Sequence, residues 1–372
     1  MRIYNMKRDI IHLFDDQKVV TRAFRNFKEG LSEYNHIGIL FLEDSNTQYV
    51  SMSNEYIIYK KSVLKSIDIN NIACVFIHFL STKKLRFIHR LPKSIPVCWY
   101  VYGGDLYNRY LSYMGYQINY KEDARKFNLR VLLYPIKKLI RKVEFRYVLK
   151  RIHLFVACSC DYNLIKKNDR DNNPSLNIEL FLYTIDEIMG DLYNSPFIKG
   201  NSIIVGNSAS YTNNHLYCLK FLKKIDISGY TVNLQLAYGG DDSYKFLIKE
   251  KFANGLNSSI YSNEEFISLE RYNHILQQAY AFVFGNWRQE AIGNILVALY
   301  LGKKVYLSNK NPLLNYFRDQ GFLLFELETI NKDFLSDLSI DEKKQNRRIA
   351  DGFYNKERLI QLMRIGFKDV LR

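Results

Sequence analysis

Residues 71–78, NIACVFIH, and residues 95–102, IPVCWYVY, decide the fold. Both are near-continuous runs of apolar and β-branched side chains. A strand with one wet face alternates polar and apolar positions. An unbroken run of this length suits a strand covered on both sides, as in a parallel sheet. Working outward, residues 10–14 and 37–42 read as earlier strands with a helix over 19–29 between them, and residues 153–157 and 178–182 as later strands. A second series follows. Strands at 202–205, 232–236, 281–284 and 304–307 alternate with helices at 213–224, 241–253, 263–279 and 290–301. The alternation predicts βαβ units with right-handed crossovers. The expected fold is α/β, with two Rossmann-like domains and a cleft between the carboxyl ends of their strands. The domains are expected at 1–190 and 200–350, joined through 183–201 with its Pro196 and Gly200. Residues 351–372 are expected as a terminal helix packing back on the first domain.

Composition narrows the function. The 372 residues are 47% hydrophobic and 24% charged, a globular balance with enough apolar content for two cores. No apolar run approaches the ~20 residues of a bilayer span. The basic amino-terminal stretch has too short an apolar run for a signal peptide, so the chain is expected to be neither secreted nor integral in a membrane. Five scattered cysteines do not make a disulfide framework, and a reducing cytoplasmic setting is expected. Cys158-Ser-Cys160 lacks the spacing of a zinc knuckle or a redox pair, and no histidines have ligand spacing, so no metal site is expected. The net charge of +15 is uneven: residues 1–186 hold 30 Lys and Arg against 18 Asp and Glu, the rest 23 against 20. A basic half beside a near-neutral half implies an anionic partner on one side.

Five segments could carry chemistry. Gly206-Asn207-Ser208 follows a strand and precedes a helix, where glycine admits close approach and the helix start favours an anion; a capped strand-to-helix turn is the plain alternative. Arg288-Gln289-Glu290 opens a strongly apolar helix. Arg288 offers a planar donor fork for phosphate, with Gly293 and Asn294 as further donors; the alternative is a solvent-facing arginine paired with Glu290. Gly103-Gly104-Asp105 ends a buried strand. Asp105 there could accept a proton from a hydroxyl, hold a sugar hydroxyl, or cap a helix. Asp15-Asp16 at the end of the first strand is a second carboxylate site or a cap. Residues 134–152 place Ile136, Leu139, Ile140, Val143 and Tyr147 on one helical face, with Lys137, Lys138, Arg141, Lys142, Arg146, Lys150 and Arg151 around them. A basic amphipathic helix of this kind fits an anionic membrane surface; a surface helix with its apolar face in the core is the alternative. Asp169-Arg170-Asp171 reads as a solvated turn. Neither G-x-G-x-x-G nor a P-loop follows any expected strand, which weighs against oxidoreductases and NTPases.

Tyr102-Gly103-Gly104-Asp105-Leu106-Tyr107, Val205-Gly206-Asn207-Ser208, Arg288-Gln289 with Ile292-Gly293-Asn294, and Asn311-Pro312 occur in an order and spacing that resemble glycosyltransferase family 56. The likeness runs over residues 10–325. It implies a metal-independent GT-B glycosyltransferase without cofactor. Its donor would be a dTDP-linked 4-amino-4,6-dideoxyhexose and its acceptor an undecaprenyl-diphosphate-linked saccharide. It would act as a peripheral protein at the cytoplasmic face of the inner membrane. On this resemblance Gly206, Asn207, Ser208, Arg288, Gln289, Gly293 and Asn294 line the donor diphosphate, Gly103 and Gly104 form the acceptor-side loop, and Asp105 and Asp15 are the catalytic carboxylates. The chain departs from the pattern at Lys18, Val19 and Val20, at Ala209 and at Asn294. A GT-B enzyme with a UDP- or GDP-sugar and another acceptor is one alternative. A basic nucleic-acid-binding protein is the other, although no RRM, KH or helix-turn-helix signature is visible; nucleic acid is not expected as a partner.

Overall fold

A computed structural model describes residues 7–17, 20–42, 47, 49–123, 134–169 and 175–371. The chain divides into two compact units. One comprises Met1–Met114, Pro135–Thr184 and Lys356–Arg372; the other comprises Gly115–Tyr134 and Ile185–Asn355. Residues 115–134 therefore group with the second unit, although they were expected in the first. The reason is local: Asp123 accepts hydrogen bonds from the backbone N–H of Leu216 and Tyr217 and from the Tyr244 hydroxyl, at 2.9, 3.1 and 2.7 Å.

The first unit runs β1 (Asp9–Asp15), α1 (Val20–Gly30), β2 (Asn35–Phe41), β3 (Tyr56–Ile58), β4 (Ile72–His78), α2 (Thr82–His89), β5 (Val97–Tyr100), α3 (Gly104–Tyr107), α4 (Tyr134–Arg151), β6 (Leu154–Val156), α5 (Ser159–Asn168) and β7 (Leu176–Ile178). Its parallel sheet has the order β3-β2-β1-β4-β5-β6-β7. All seven residues of β4 are buried, as the unbroken apolar run requires. In α1, Val20, Ala23, Phe24 and Phe27 recur at helical spacing and enter the core. The last strand stops at Ile178, earlier than expected. Leu180 and Leu182 still bury their side chains, but their carbonyls are taken by the Tyr100 hydroxyl and the Asn26 amide at 2.9 and 2.8 Å, so no ladder is needed.

A polar thread crosses this core. His12 Nε2 meets His36 Nδ1 at 3.0 Å and His12 Nδ1 meets His78 Nε2 at 3.1 Å, while His36 Nε2 lies 3.0 Å from the Leu31 carbonyl. The carbonyl can only accept, so His36 carries its proton on Nε2. The same logic passes along the chain and sets His12 and His78 as Nε2–H tautomers. Burial, the first cause for each, pushes all three imidazoles below the usual histidine range.

The second unit runs α6 (Ile185–Met189), β8 (Ser202–Val205), α7 (His215–Leu222), β9 (Thr231–Gln235), α8 (Asp242–Gly255), β10 (Ser259–Asn263), α9 (Leu269–Gln277), β11 (Ala279–Phe284), α10 (Ile292–Tyr300), β12 (Lys304–Leu307), α11 (Leu313–Asp319), β13 (Phe325–Glu326) and α12 (Ile340–Phe353). Its sheet is also parallel, in the order β10-β9-β8-β11-β12-β13. The strand β10 ends where a helix was expected to begin; α9 starts only at Leu269, behind Ser268, whose hydroxyl accepts from Arg271 N. The terminal helix α13 (Lys356–Gly366) belongs to the first unit. It packs on α1, where Lys356 bonds Asn26 at 2.6 Å, and Leu359, Met363 and Phe367 complete the core. Among the described residues no helix is long and apolar enough to cross a membrane.

Candidate functional site

In an open parallel sheet, ligands collect beyond the carboxyl ends of the strands where the strand order reverses. In the second unit that point lies between β8 and β11, and two of the expected segments leave those two strands. Gly206 follows β8 with φ +69, and a Cβ there would stand 2.7 Å from His215 Nε2 and 2.9 Å from Asn213 Oδ1. Backbone conformation and space both demand glycine. Asn207 N donates to Asn213 Oδ1 at 2.8 Å, and Asn207 Nδ2 donates to the Tyr238 hydroxyl at 3.0 Å. The Ser208 hydroxyl accepts from Asn213 Nδ2 at 2.9 Å.

On the β11 side the helix begins at Ile292, two residues later than expected. Residues 285–291 are therefore loop. Gly285 sits where a Cβ would meet the carbonyl oxygens of Asn214 and Asn213 at 2.6 and 2.8 Å. Arg288 is buried, not solvent-facing. Its Nη2 pairs with Glu290 at 2.9 Å and reaches the Thr212 hydroxyl at 3.3 Å, and its Nη1 donates to the Gln289 carbonyl at 3.1 Å. Glu290, expected only as a partner of Arg288, is a hub: it also accepts from Thr212 Oγ1 at 2.9 Å and Asn286 Nδ2 at 2.8 Å. Gly293 and Asn294 fall in the first turn of α10, where backbone N–H groups have no intrahelical acceptor. Ala291 gives this helix no side-chain cap, and the Asn294 side chain donates to the Tyr272 hydroxyl at 3.0 Å.

These residues share one electrostatic feature. Asn207 Oδ1, Asn286 Oδ1, Arg288 Nε, Gln289 Oε1 and both ring nitrogens of His215 are buried without a hydrogen-bond partner. Buried polar groups are nearly always satisfied, so a cluster of such atoms marks a place prepared for a polar ligand. Burial pushes His215 down to about 3, so its ring is neutral at physiological pH. The Thr-Asn-Asn-His run at 212–215 was the signal that could have revealed this side of the site.

The first unit reverses its strand order between β1 and β4. Asp15 ends β1, and its carboxylate pairs with Lys84 Nζ at 2.7 Å. Lys84 is fully buried and also donates to the carbonyls of His78 and Phe79, at 2.5 and 3.1 Å. Asp16 accepts from the backbone N–H of Tyr49 and Val50. Gly103 caps α3, Gly104 opens it, and Asp105 is 1% exposed. Asp105 Oδ2 accepts from Trp99 Nε1 and Leu80 N, both at 2.7 Å, and Oδ1 from Tyr102 N at 3.0 Å. Asp105 was expected as a proton acceptor, a holder of a sugar hydroxyl or a helix cap; in the structure it braces the ends of β4 and β5, and Asp15, one quarter exposed, lies nearer to solvent. Asp169 is buried and so is not a solvated turn; Arg170, Asp171, Lys18 and Val19 lie outside the described residues.

In α4 the residues that meet the core are not those of the expected stripe. Phe145, Val148 and Leu149 face the core. Ile136, Leu139, Ile140 and Val143 are 54% to 65% exposed, so the apolar face is not in the core. Lys137 and Lys138 are half-buried beside it, Lys142 is exposed, and Arg141 pairs with Glu144 at 2.8 Å. Tyr147 turns to His89, at 3.2 Å.

No family model matches the chain. Solved structures do resemble it. A glycosyltransferase from Rickettsia africae superposes with a TM-score of 0.61 at 12% identity, covering 99% of this chain and 100% of that one. An alpha,alpha-trehalose-phosphate synthase (UDP-forming) from Burkholderia vietnamiensis has a TM-score of 0.64 at 8% identity, covering 99% of each chain. WaaG, a glycosyltransferase involved in lipopolysaccharide biosynthesis, has a TM-score of 0.57 at 11% identity, covering 97% of this chain and 99% of its own. At these identities the likeness establishes the fold: two parallel α/β sheets of seven and six strands, in the GT-B arrangement.

Proposed function

We propose that the chain is a metal-independent glycosyltransferase. It moves a 4-amino-4,6-dideoxyhexose from a dTDP-sugar to an undecaprenyl-diphosphate-linked saccharide, as a peripheral protein on the cytoplasmic face of the inner membrane. The observation that carries this reading is the cluster of unpartnered buried polar atoms at the β8/β11 reversal, beside an uncapped helix start. Arg288 Nε and one ring nitrogen of His215 are donors for the oxygens of a sugar diphosphate, and Asn207 Oδ1, Asn286 Oδ1 and Gln289 Oε1 are acceptors for hydroxyl or amine groups of its sugar. Breaking its glycosidic bond builds negative charge on the departing nucleotide. Arg288 is held in a buried setting, where charge stabilisation is strong and needs no reorganisation, and the half-buried first-turn amides at Gly293 and Asn294 add to it. Glu290 holds Arg288 in place. Asp15 is the carboxylate that takes the acceptor proton. The family 56 resemblance supplies the sugar and the lipid; the exposed apolar face of α4 with its lysines supports the membrane contact.

The test is transfer with dTDP-sugar and a polyprenyl-diphosphate acceptor. Arg288→Ala should lower kcat by about 10²–10³ and abolish the thermal shift given by TDP, and omitting Mg2+ should change neither. Retained turnover in the variant would remove Arg288 from the reaction. A second reading has a UDP-sugar as donor, favoured by the UDP-forming name of one structural neighbour. A larger thermal shift with UDP than with TDP would select it.

A further inference from the structure

Cys158, Cys160 and Asp161, at the start of α5, take no part in the strand-end sites. Cys158 occupies the cap position before α5, yet its side chain makes no capping bond. Its carbonyl, not its thiol, accepts from the N–H of Asp161 and Tyr162, both at 3.0 Å. The thiol turns instead to Cys160, with the two sulfurs 2.8 Å apart. Cys160 Sγ lies 3.9 Å from Asp161 Oδ1. One ligand atom from each of the three residues falls within 4.8 Å of the others. Cys158 and Asp161 are buried, and half-buried Cys160 leaves a route from solvent.

We propose that these residues form a binding site for a thiophilic divalent ion, with zinc as the ion that fits. Two sulfurs and one carboxylate oxygen are a donor set for a borderline-soft cation, and three protein ligands leave a fourth position for water. The carboxylate is oriented from behind: Tyr107 donates its hydroxyl to Asp161 Oδ1 at 2.6 Å. Such an outer contact fixes a ligand oxygen and sets its basicity. On binding, both thiols lose their protons to solvent and the sulfurs become thiolates. Tyr107 closes α3, which begins with Gly104 and Asp105, so the ion would pin the acceptor-side loop to α5. The turn into α5 brings the carboxylate to the two sulfurs, and that is what the motif alone does not reveal.

The experiment titrates the reduced full-length protein with Cd2+ under anaerobic conditions and follows thiolate-to-metal absorption in the ultraviolet. The expected result is a band saturating at one equivalent, about two protons released per ion at neutral pH, and removal of the band by excess Zn2+. Cys158→Ser and Cys160→Ser should each abolish it. Serine is a favoured cap residue, so the first variant keeps the helix. Tyr107→Phe should weaken binding on the order of tenfold or more. Three outcomes overturn the proposal: no band at one equivalent, a band that survives both serine variants and so belongs to other cysteines, or loss of two free thiols before titration, which would make the pair a disulfide.

Discussion

Asp105 and Asp15 show what a carboxylate can be made to do by its neighbours. Asp105 spends its oxygens on Leu80, Trp99 and Tyr102, donors from the ends of β4 and β5. Burial nevertheless raises its carboxyl above the usual range, against the pull of those donors. Asparagine there would turn an amide toward N–H groups. Asp105→Asn should therefore lower stability by about 1–3 kcal/mol and leave turnover per folded molecule near wild type. Asp15→Asn should lower kcat per folded molecule about 10²–10⁴-fold and should also lower the melting temperature, because it leaves the buried Lys84 ammonium without its carboxylate. A stable but inactive Asp105→Asn would return the proton transfer to Asp105. The sequence made both residues visible as acids at strand ends. It could not separate them, because the distinction lies in N–H groups that converge from 25 residues away, as Leu80 does on Asp105. The wider role of Glu290 was hidden for the same reason: Thr212 reaches it from the other strand end, 78 residues away in sequence.

At the scale of elements, the central strands β4, β5, β8 and β11 were legible because continuous apolar runs admit few other readings. The edge strands β3 and β10 were not. Tyr56–Ile58 and Ser259–Asn263 are short, and β10 carries three polar residues in five positions; edges need less burial and so leave a weaker pattern. The histidine thread is also an element-level device, since it joins β2, β1 and β4. Unfolded imidazoles titrate near 6.5, while His12, His36 and His78 titrate lower in the folded sheet. As pH falls through 6.5 the unfolded chain gains protons that the folded one refuses. Stability of the first unit is therefore present above pH 6.5 and lost below it, by up to about 1.4 kcal/mol per pH unit for each ring. His153, lowered by partial burial in the same unit, acts in the same direction, and Asp105 opposes the four as a single group. Trp287→Phe would leave Trp99 as the reporter within the first unit. Its urea midpoint should fall between pH 7 and pH 5, and a flat midpoint would mean the three rings accept protons when folded.

At the scale of the whole molecule, the +15 charge and its bias toward residues 1–186 were plain from composition. What composition left open was whether the apolar face of α4 is spent on the core. It is not: Leu139 and its neighbours remain in solvent, with lysines alongside. Vesicles with anionic lipid should therefore bind the protein, with each Lys contributing about 1 kcal/mol near the surface. Leu139→Glu and Lys142→Glu should each reduce co-sedimentation, raised salt should weaken it, and neutral vesicles should bind poorly. Equal binding to neutral and anionic vesicles would dissociate the lysines from the contact.

The placement of α13 has a temporal consequence. The first sheet takes part of its core from Leu359, Met363 and Phe367, side chains translated after the whole of the second unit. During synthesis the second sheet can therefore close before the first has received its full core. The sheet whose translation starts earlier is the one completed later.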